Sequence, residues 1–407
     1  MIRRFNRWGA WLLAAALPWA APGLAQPAPQ ATTLTTMYSF TGGADGDYPY
    51  SPLVIYQKDQ SLWGTTFFGG SDFGNYGCGT IFRMAVPVQT IYTFPPDTNA
   101  PMCHPVYLTV SATGQVYGIT YNGAVFQVVP TDTGWDVNEL YIFQPGEEPL
   151  GLLPVTNNGT LIGIVHGQSG GPGGCGYVFR LRPIPNPPWT KTVLYEFNHD
   201  TDGCHPQGNL TAYGGLFYGV TNMGGAGPGT YTYGTLFRLS LSDGVLTVLH
   251  VFNASEGWPI DGVNFGPGNT LYGITENGGT YGRGIVYSMN PADLDSFKVV
   301  DNLSFGDGGV GRPLVTQKGV VYGVTAKSET INTPQDYATV FALYPPRAGK
   351  PWTEVPLGAL SNGDCPVARL TAGGLALYGV TYNDPYTCRG GGTGGNSWGS
   401  IFEVTKQ

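Results

Sequence analysis

The chain has 407 residues and a formal net charge of −8; only 11% of its residues are charged, while 63 are Gly and 25 are Tyr. So acidic and sparsely charged a surface excludes a nucleic-acid partner, which needs a basic stripe. The aromatic content excludes a disordered chain, and abundant Gly beside β-prone aromatics suits short twisted strands joined by tight turns.

In chain order, the first element is an export signal. Arg3, Arg4 and Arg7 precede an apolar run over 8–21 and a small-residue cleavage site at Gly23-Leu24-Ala25. This pattern predicts a secretory signal peptide over 1–25, with an apolar run too short to span a bilayer. Residues 26–34 read as a short linker and 35–407 as a single domain. No later segment approaches a membrane span, so the expected location is periplasmic or secreted.

Residues 35–40 (Thr-Thr-Met-Tyr-Ser-Phe) form a lone strand. Four more follow at 52–57, 61–68, 80–86 and 89–94, separated by the turn Lys58-Asp59-Gln60 and a Gly-rich loop over 69–79. Four strands split by turn signals make one propeller blade. The second and third strands then recur through the chain. Leu62-Trp63-Gly64 is echoed by Val116-Tyr117-Gly118, Leu161-Ile162-Gly163, Phe217-Tyr218-Gly219, Leu271-Tyr272-Gly273, Val321-Tyr322-Gly323 and Leu377-Tyr378-Gly379. Each triplet is followed by an apolar pair: Ile81-Phe82, Val125-Phe126, Val178-Phe179, Leu236-Phe237, Val286-Tyr287, Val340-Phe341 and Ile401-Phe402. Repeats of this length carrying several strands predict an all-β, seven-bladed β-propeller. The seventh repeat stops at its third strand, over 400–404. The lone strand at 35–40 would complete that last blade and close the ring.

The stretches 62–82, 217–237 and 271–287 resemble the GloVer-type tandem repeat of exported bacterial proteins. That pattern runs Leu-Tyr-Gly-Thr-Thr, then Gly-Gly, a Gly-rich loop and Gly-Thr-Val-Phe, after an Asp-Gly approach to Pro. The approach stands here at Asp45-Gly46 before Pro49 and at Asp202-Gly203 before Pro206. The second repeat is short, the third has Val165-His166 in place of Thr, and the sixth lacks Gly-Gly. The resemblance implies a propeller-like repeat domain outside the cytoplasm and brings no settled activity.

In a propeller, the loop approaching a blade and the loop between its second and third strands lie on one face. All six cysteines fall in such loops. An even count in an exported chain favours disulfides, and the repeat geometry pairs Cys78–Cys103, Cys175–Cys204 and Cys365–Cys388. Cys103-His104 and Cys204-His205 lack the compact spacing of zinc ligands, so neither a metal nor a cofactor is expected.

Propeller ligands sit over the central channel, on loops held by rigid blades. The residue before each approach-loop proline gives one candidate set: Tyr48, His104, Glu148, His205, Trp258, Arg312 and Cys365. The residue beyond each second strand gives another: Phe67, Tyr121, His166, Asn222, Glu276, Ala326 and Tyr382. Imidazoles, carboxylates, a guanidinium and aromatics on one face suit a glycan or related oligomer, with Trp258, His166, Tyr382 and Asn222 as binding residues. A non-catalytic scaffold docking a protein partner is the rival reading. A third is a polysaccharide lyase or glycoside hydrolase over the channel. In the lyase, Arg312 would neutralise a uronate, His104 or His205 would abstract its α-proton, and Tyr48 or Tyr121 would protonate the leaving oxygen. In the hydrolase, Glu148 and Glu276 would be acid and base. Gly-x-Ser-x-Gly occurs around Ser169 and Ser397, but between strands, where a nucleophile elbow does not form.

Overall fold

The computed structural model describes residues 32–70, 77–85, 88–155, 159–167, 174–183, 189–227, 232–326, 337–346, 351–360, 365–382 and 398–406. They form seven antiparallel sheets, the blades of a β-propeller. Blade 2 is the simplest, with Pro105–Val110, Val116–Thr120, Ala124–Thr131 and Gly134–Ile142 paired in order from channel to rim. Blade 7 takes Ala376–Tyr382 and Ser400–Lys406 from the end of the chain and its outermost strand, Thr32–Ser39, from the beginning. That outermost strand pairs from Thr32↔Lys406 to Ser39↔Ser400, so the ring closes as the missing fourth strand predicted. Closure removes two sheet edges that an open ring would expose. Phe40, next in the chain, is buried against Phe82 in the same core cluster as Ile401.

The recurring glycine has a packing cause. In every blade it pairs directly across from the aromatic of the third strand: Gly64↔Phe82, Gly118↔Phe126, Gly163↔Phe179, Gly219↔Phe237, Gly273↔Tyr287, Gly323↔Phe341 and Gly379↔Phe402. The outer edge of each ring lies over the glycine, where a Cβ would come under 3.0 Å from it. All seven rings are buried in the blade cores, each contributing roughly 1.5–3 kcal/mol of hydrophobic stabilisation. The repeat visible in the sequence is therefore a ring-over-glycine stack.

Blade 5 departs from it by one atom. Tyr287 carries a hydroxyl where the other blades have Phe, and among the described residues that buried oxygen has no hydrogen-bond partner. Burial also drives its pKa upward. Removing a buried, unpartnered polar group relieves a desolvation cost. Tyr287→Phe is expected to raise stability by about 1–2 kcal/mol in urea unfolding; a lower midpoint would show that the hydroxyl contributes a bond.

The innermost strands do not run straight along the channel. Their register slips between Leu150 and Leu152, between Gln207 and Thr211, and between Val310 and Leu314. Such bulges turn the backbone inward. Gly151, Gly208 and Gly311 hold positive φ there (+48°, +62° and +66°), each against the next strand of the ring, at Asn209, Asp261 and Arg369 respectively. In blade 5 the same place is taken by Asp261 at φ +46°, a left-handed conformation uncommon outside glycine.

Candidate functional site

The approach loops set up the disulfide-bearing face. Tyr48, His104 and His205, each preceding a proline, hold φ of +62°, +60° and +58°. Conformations of this kind cost about 1–3 kcal/mol and persist only where the surroundings enforce them. Here the preceding blade does so. The backbone N–H of Tyr48 donates to Trp398 O (2.9 Å), that of His104 to Cys78 O (3.0 Å) and that of His205 to Cys175 O (2.8 Å). Two of these contacts lie beside disulfides, Cys78–Cys103 and Cys175–Cys204, which tie blade 1 to blade 2 and blade 3 to blade 4. Cys365 is also disulfide-bonded; Cys388 lies outside the described residues. Such bridges point to an oxidising environment outside the cytosol. No described helix is long and apolar enough to cross a membrane.

The two candidate sets meet blade by blade. The N–H of Tyr121 donates to His104 O, that of His166 to Glu148 O and that of Glu276 to Trp258 O. In blade 7, Cys365 pairs with Tyr382. In blade 6 the partner of Ala326 N is Gly308 O, not Arg312. Gly309 fills the slot that proline fills elsewhere, pairing with Thr325 as Pro105 pairs with Thr120. Arg312 therefore lies four residues deeper in its strand than the sequence reading placed it, inside the channel and away from the face. Asn222 lies next to the end of the second strand of blade 4, whose last residue, Met223, pairs with Cys204.

Rings gather on one side of the face. Tyr382 and Tyr48 lie 4.1 Å apart by centroid, and Tyr50 stacks 6.1 Å from Tyr48. Phe67 contacts Tyr50 at 5.8 Å and Tyr121 at 5.7 Å, and stacks on His104 at 4.5 Å with an 8° interplanar angle. The result is an aromatic arc across blades 7, 1 and 2, ending at Tyr121, which is 62% exposed. A second stack, His166 on His205 at 4.6 Å, bridges blades 3 and 4. Gln207 Nε2 lies 3.2 Å from His166 Nε2, and Glu148 approaches His166 Nδ1 to 3.7 Å. His104 Nδ1 donates to Phe67 O (2.9 Å), and His205 Nδ1 faces the carbonyls of His166 and Gly167 (3.3 and 3.2 Å). Burial holds both His104 and His166 below the usual imidazole range, so both are neutral at pH 7.

Between these groups the channel opens as a cavity of about 480 Å³. Tyr50 and Tyr382 line it on the aromatic side, and Asp261, Glu276 and Asp307 bring three carboxylates with no Lys or Arg among the lining residues. Tyr50, Gln207, Asp261 and Asp307 are channel-lining positions that the sequence reading missed. Asp261 had one signal: aligned on the approach-loop prolines, it stands where blades 3 and 4 have Gly. Among the described residues no cluster of three or more His, Cys, Asp or Glu is arranged to hold a metal ion.

No curated protein matches the chain in sequence. Among solved structures, virginiamycin B lyase from Staphylococcus aureus superposes with a TM-score of 0.56 at 14% identity, over 92% of this chain and 99% of that one. The extracellular domain of a hybrid two-component system from B. thetaiotaomicron gives 0.54 at 10% identity, over 92% of this chain and 41% of that one. The Cps50 (Swd1) propeller domain from Myceliophteria thermophila gives 0.54 at 10%, over 92% and 100%. At such identities the likeness shows the shared propeller alone. The Gloeobacter/Verrucomicrobia repeat profile matches residues 74–257 and 226–407, and the chain belongs to that repeat family.

Proposed function

We propose that the disulfide-bearing face binds an extracellular glycan without turning it over. One observation carries this reading: an aromatic arc, Tyr382–Tyr48–Tyr50–Phe67–Tyr121, borders a channel mouth furnished with three carboxylates. Sugar rings present apolar faces that stack on aromatics, and carboxylates accept hydrogen bonds from their hydroxyls. The same carboxylates repel a polyanion, which favours a neutral or amino sugar over a uronate polymer. The lyase alternative needs Arg312 beside His104 or His205, and Arg312 lies deeper in the channel. A protein-docking scaffold would use the same exposed rings, so the experiment separates the two.

The test is calorimetric titration of the purified protein with neutral, amino and uronate oligosaccharides, with product assays alongside. Neutral or amino oligomers are expected to bind with no unsaturated product and no new reducing ends. Tyr50→Ala and Tyr121→Ala should each weaken binding about two- to tenfold, the loss of one stacked ring at roughly 0.5–1.5 kcal/mol. Tyr121 is exposed enough that its replacement leaves the fold intact. Turnover of any oligomer would replace this reading with the enzymatic one, and no binding by any of them would leave the scaffold.

A further inference from the structure

Below the carboxylate-lined mouth, the channel is closed by a polar layer containing two arginines from neighbouring blades. Arg312 and Arg369 hold equivalent positions, each three residues beyond the residue that pairs with a threonine of the second strand (Gly309↔Thr325 and Pro366↔Thr381). Arg312 Nη1 donates to Thr211 Oγ1 at 2.9 Å, and its backbone N–H donates to Asp261 Oδ2 at 3.0 Å. Arg369 bonds the Tyr107 hydroxyl, which also accepts from Asn209 Nδ2. These bonds leave donors over. Nε of Arg312 and Nη1 of Arg369 are both buried without a hydrogen-bond partner among the described residues. Among the described residues, neither guanidinium makes an ion pair with a carboxylate.

The charge is equally unbalanced. Among the described residues, Asp261 is the carboxylate that acts on both arginines, so in this layer two guanidinium charges face one carboxylate. Burial, with the Arg369 charge alongside, lowers Arg312 to about 10, which leaves it protonated at neutral pH. An uncompensated buried charge is costly unless a counter-ion completes the site. Both arginines line a second cavity, of about 390 Å³, at the end of the channel opposite the disulfide face. Among the described residues, they are its only charged lining residues. The rest of its wall combines an apolar side, with Leu53, Ile55, Leu314 and Leu370, and a polar one, with Gln57, Thr109, Asn264 and Thr371.

We infer that this opposite mouth is an oxyanion site, in which the guanidinium groups of Arg312 and Arg369 bind a carboxylate whose apolar body lies against Leu53, Ile55, Leu314 and Leu370. Guanidinium forks match carboxylate geometry and form charge-assisted bonds, and the anion would supply the missing negative charge. The site stands apart from the glycan reading, since it uses the other end of the channel.

The experiment is calorimetric titration of the purified full chain with sodium hexanoate and, in a second arm, sodium sulfate, at ionic strength fixed with sodium chloride. Saturable binding at one site per chain is expected, with hexanoate at least tenfold tighter than sulfate. Sulfate binding the tighter would assign the site to inorganic oxyanions. Arg369→Met should weaken binding at least tenfold. Because that arginine is buried, Ala372→Trp supplies an independent variant: Ala372 is an exposed residue lining the same mouth, and a bulky ring there should block entry while leaving the arginines in place. No saturable binding by either salt, or affinity unchanged in both variants, overturns the site.

Discussion

Gly118→Val is expected to lower the stability of the propeller by about 3 kcal/mol, at the upper end of overpacking costs. Gly118 has no backbone reason to be glycine, since its φ is not in the left-handed region. The whole effect would come from the Phe126 ring, whose tip and edge occupy the space of a Cβ. That ring is fully buried and packed edge-on against Phe94 at 5.5 Å, in a cluster with Leu108 and Val116. It has nowhere to move. Denaturant unfolding of Gly118→Val, and of Gly118→Val with Phe126→Leu, checks the mechanism. The second substitution should recover part of the loss by vacating the contested volume, whereas a backbone cause would leave the two losses additive.

Replacing Cys175 and Cys204 by Ser is expected to cost about 3–4 kcal/mol, the loop-closure value for their 29-residue separation. The larger consequence falls on the face. Cys175 O accepts the His205 backbone N–H, and that bond helps hold His205 at positive φ. His205 in turn stacks on His166 across the blade boundary. The doubly substituted protein should therefore melt earlier and lose order at blades 3 and 4 first. Amide exchange at 175–177 and 204–207 would report this; uniform loss of protection along the chain would contradict it. The Cys78–Cys103 pair should behave alike at blades 1 and 2, since His104 N–H donates to Cys78 O in the same way.

The blade count, the closing strand and two inter-blade bridges were legible in the sequence because each follows from a repeated physical contact. Aromatic and glycine recur together since the ring needs the missing Cβ, so their spacing reports blades directly. The bridges were legible once loops could be assigned to one face. Arg312 shows where the reading fails. Proline marks the approach in most blades, and in Gly309-Val310-Gly311-Arg312-Pro313 the proline comes four residues after the slot it fills elsewhere. Only the pairing with Val324 and Thr325 reveals the displacement. Tyr50 and Asp307 reach the channel through loop paths that carry no periodic signature, and Asp261 was marked only by the glycines that other blades have in its place. Which side chains share a cavity depended on backbone turns set by tertiary packing.

The closing strand also has a history during synthesis. Thr32–Ser39 emerges before any other blade strand, while its partner Ser400–Lys406 follows all the other described strands, so it stays unpaired until all seven blades are available. An unsatisfied strand with free N–H and C=O groups is an aggregation hazard over such an interval. Its composition answers that hazard: Thr-Thr-Leu-Thr-Thr-Met-Tyr-Ser offers five hydroxyl residues besides Tyr and only three larger apolar or aromatic side chains. Hydroxyls keep the waiting segment hydrated while Leu34 is retained to pack beside blade 6 on arrival. The segment that must wait longest is thus among the least adhesive in the protein.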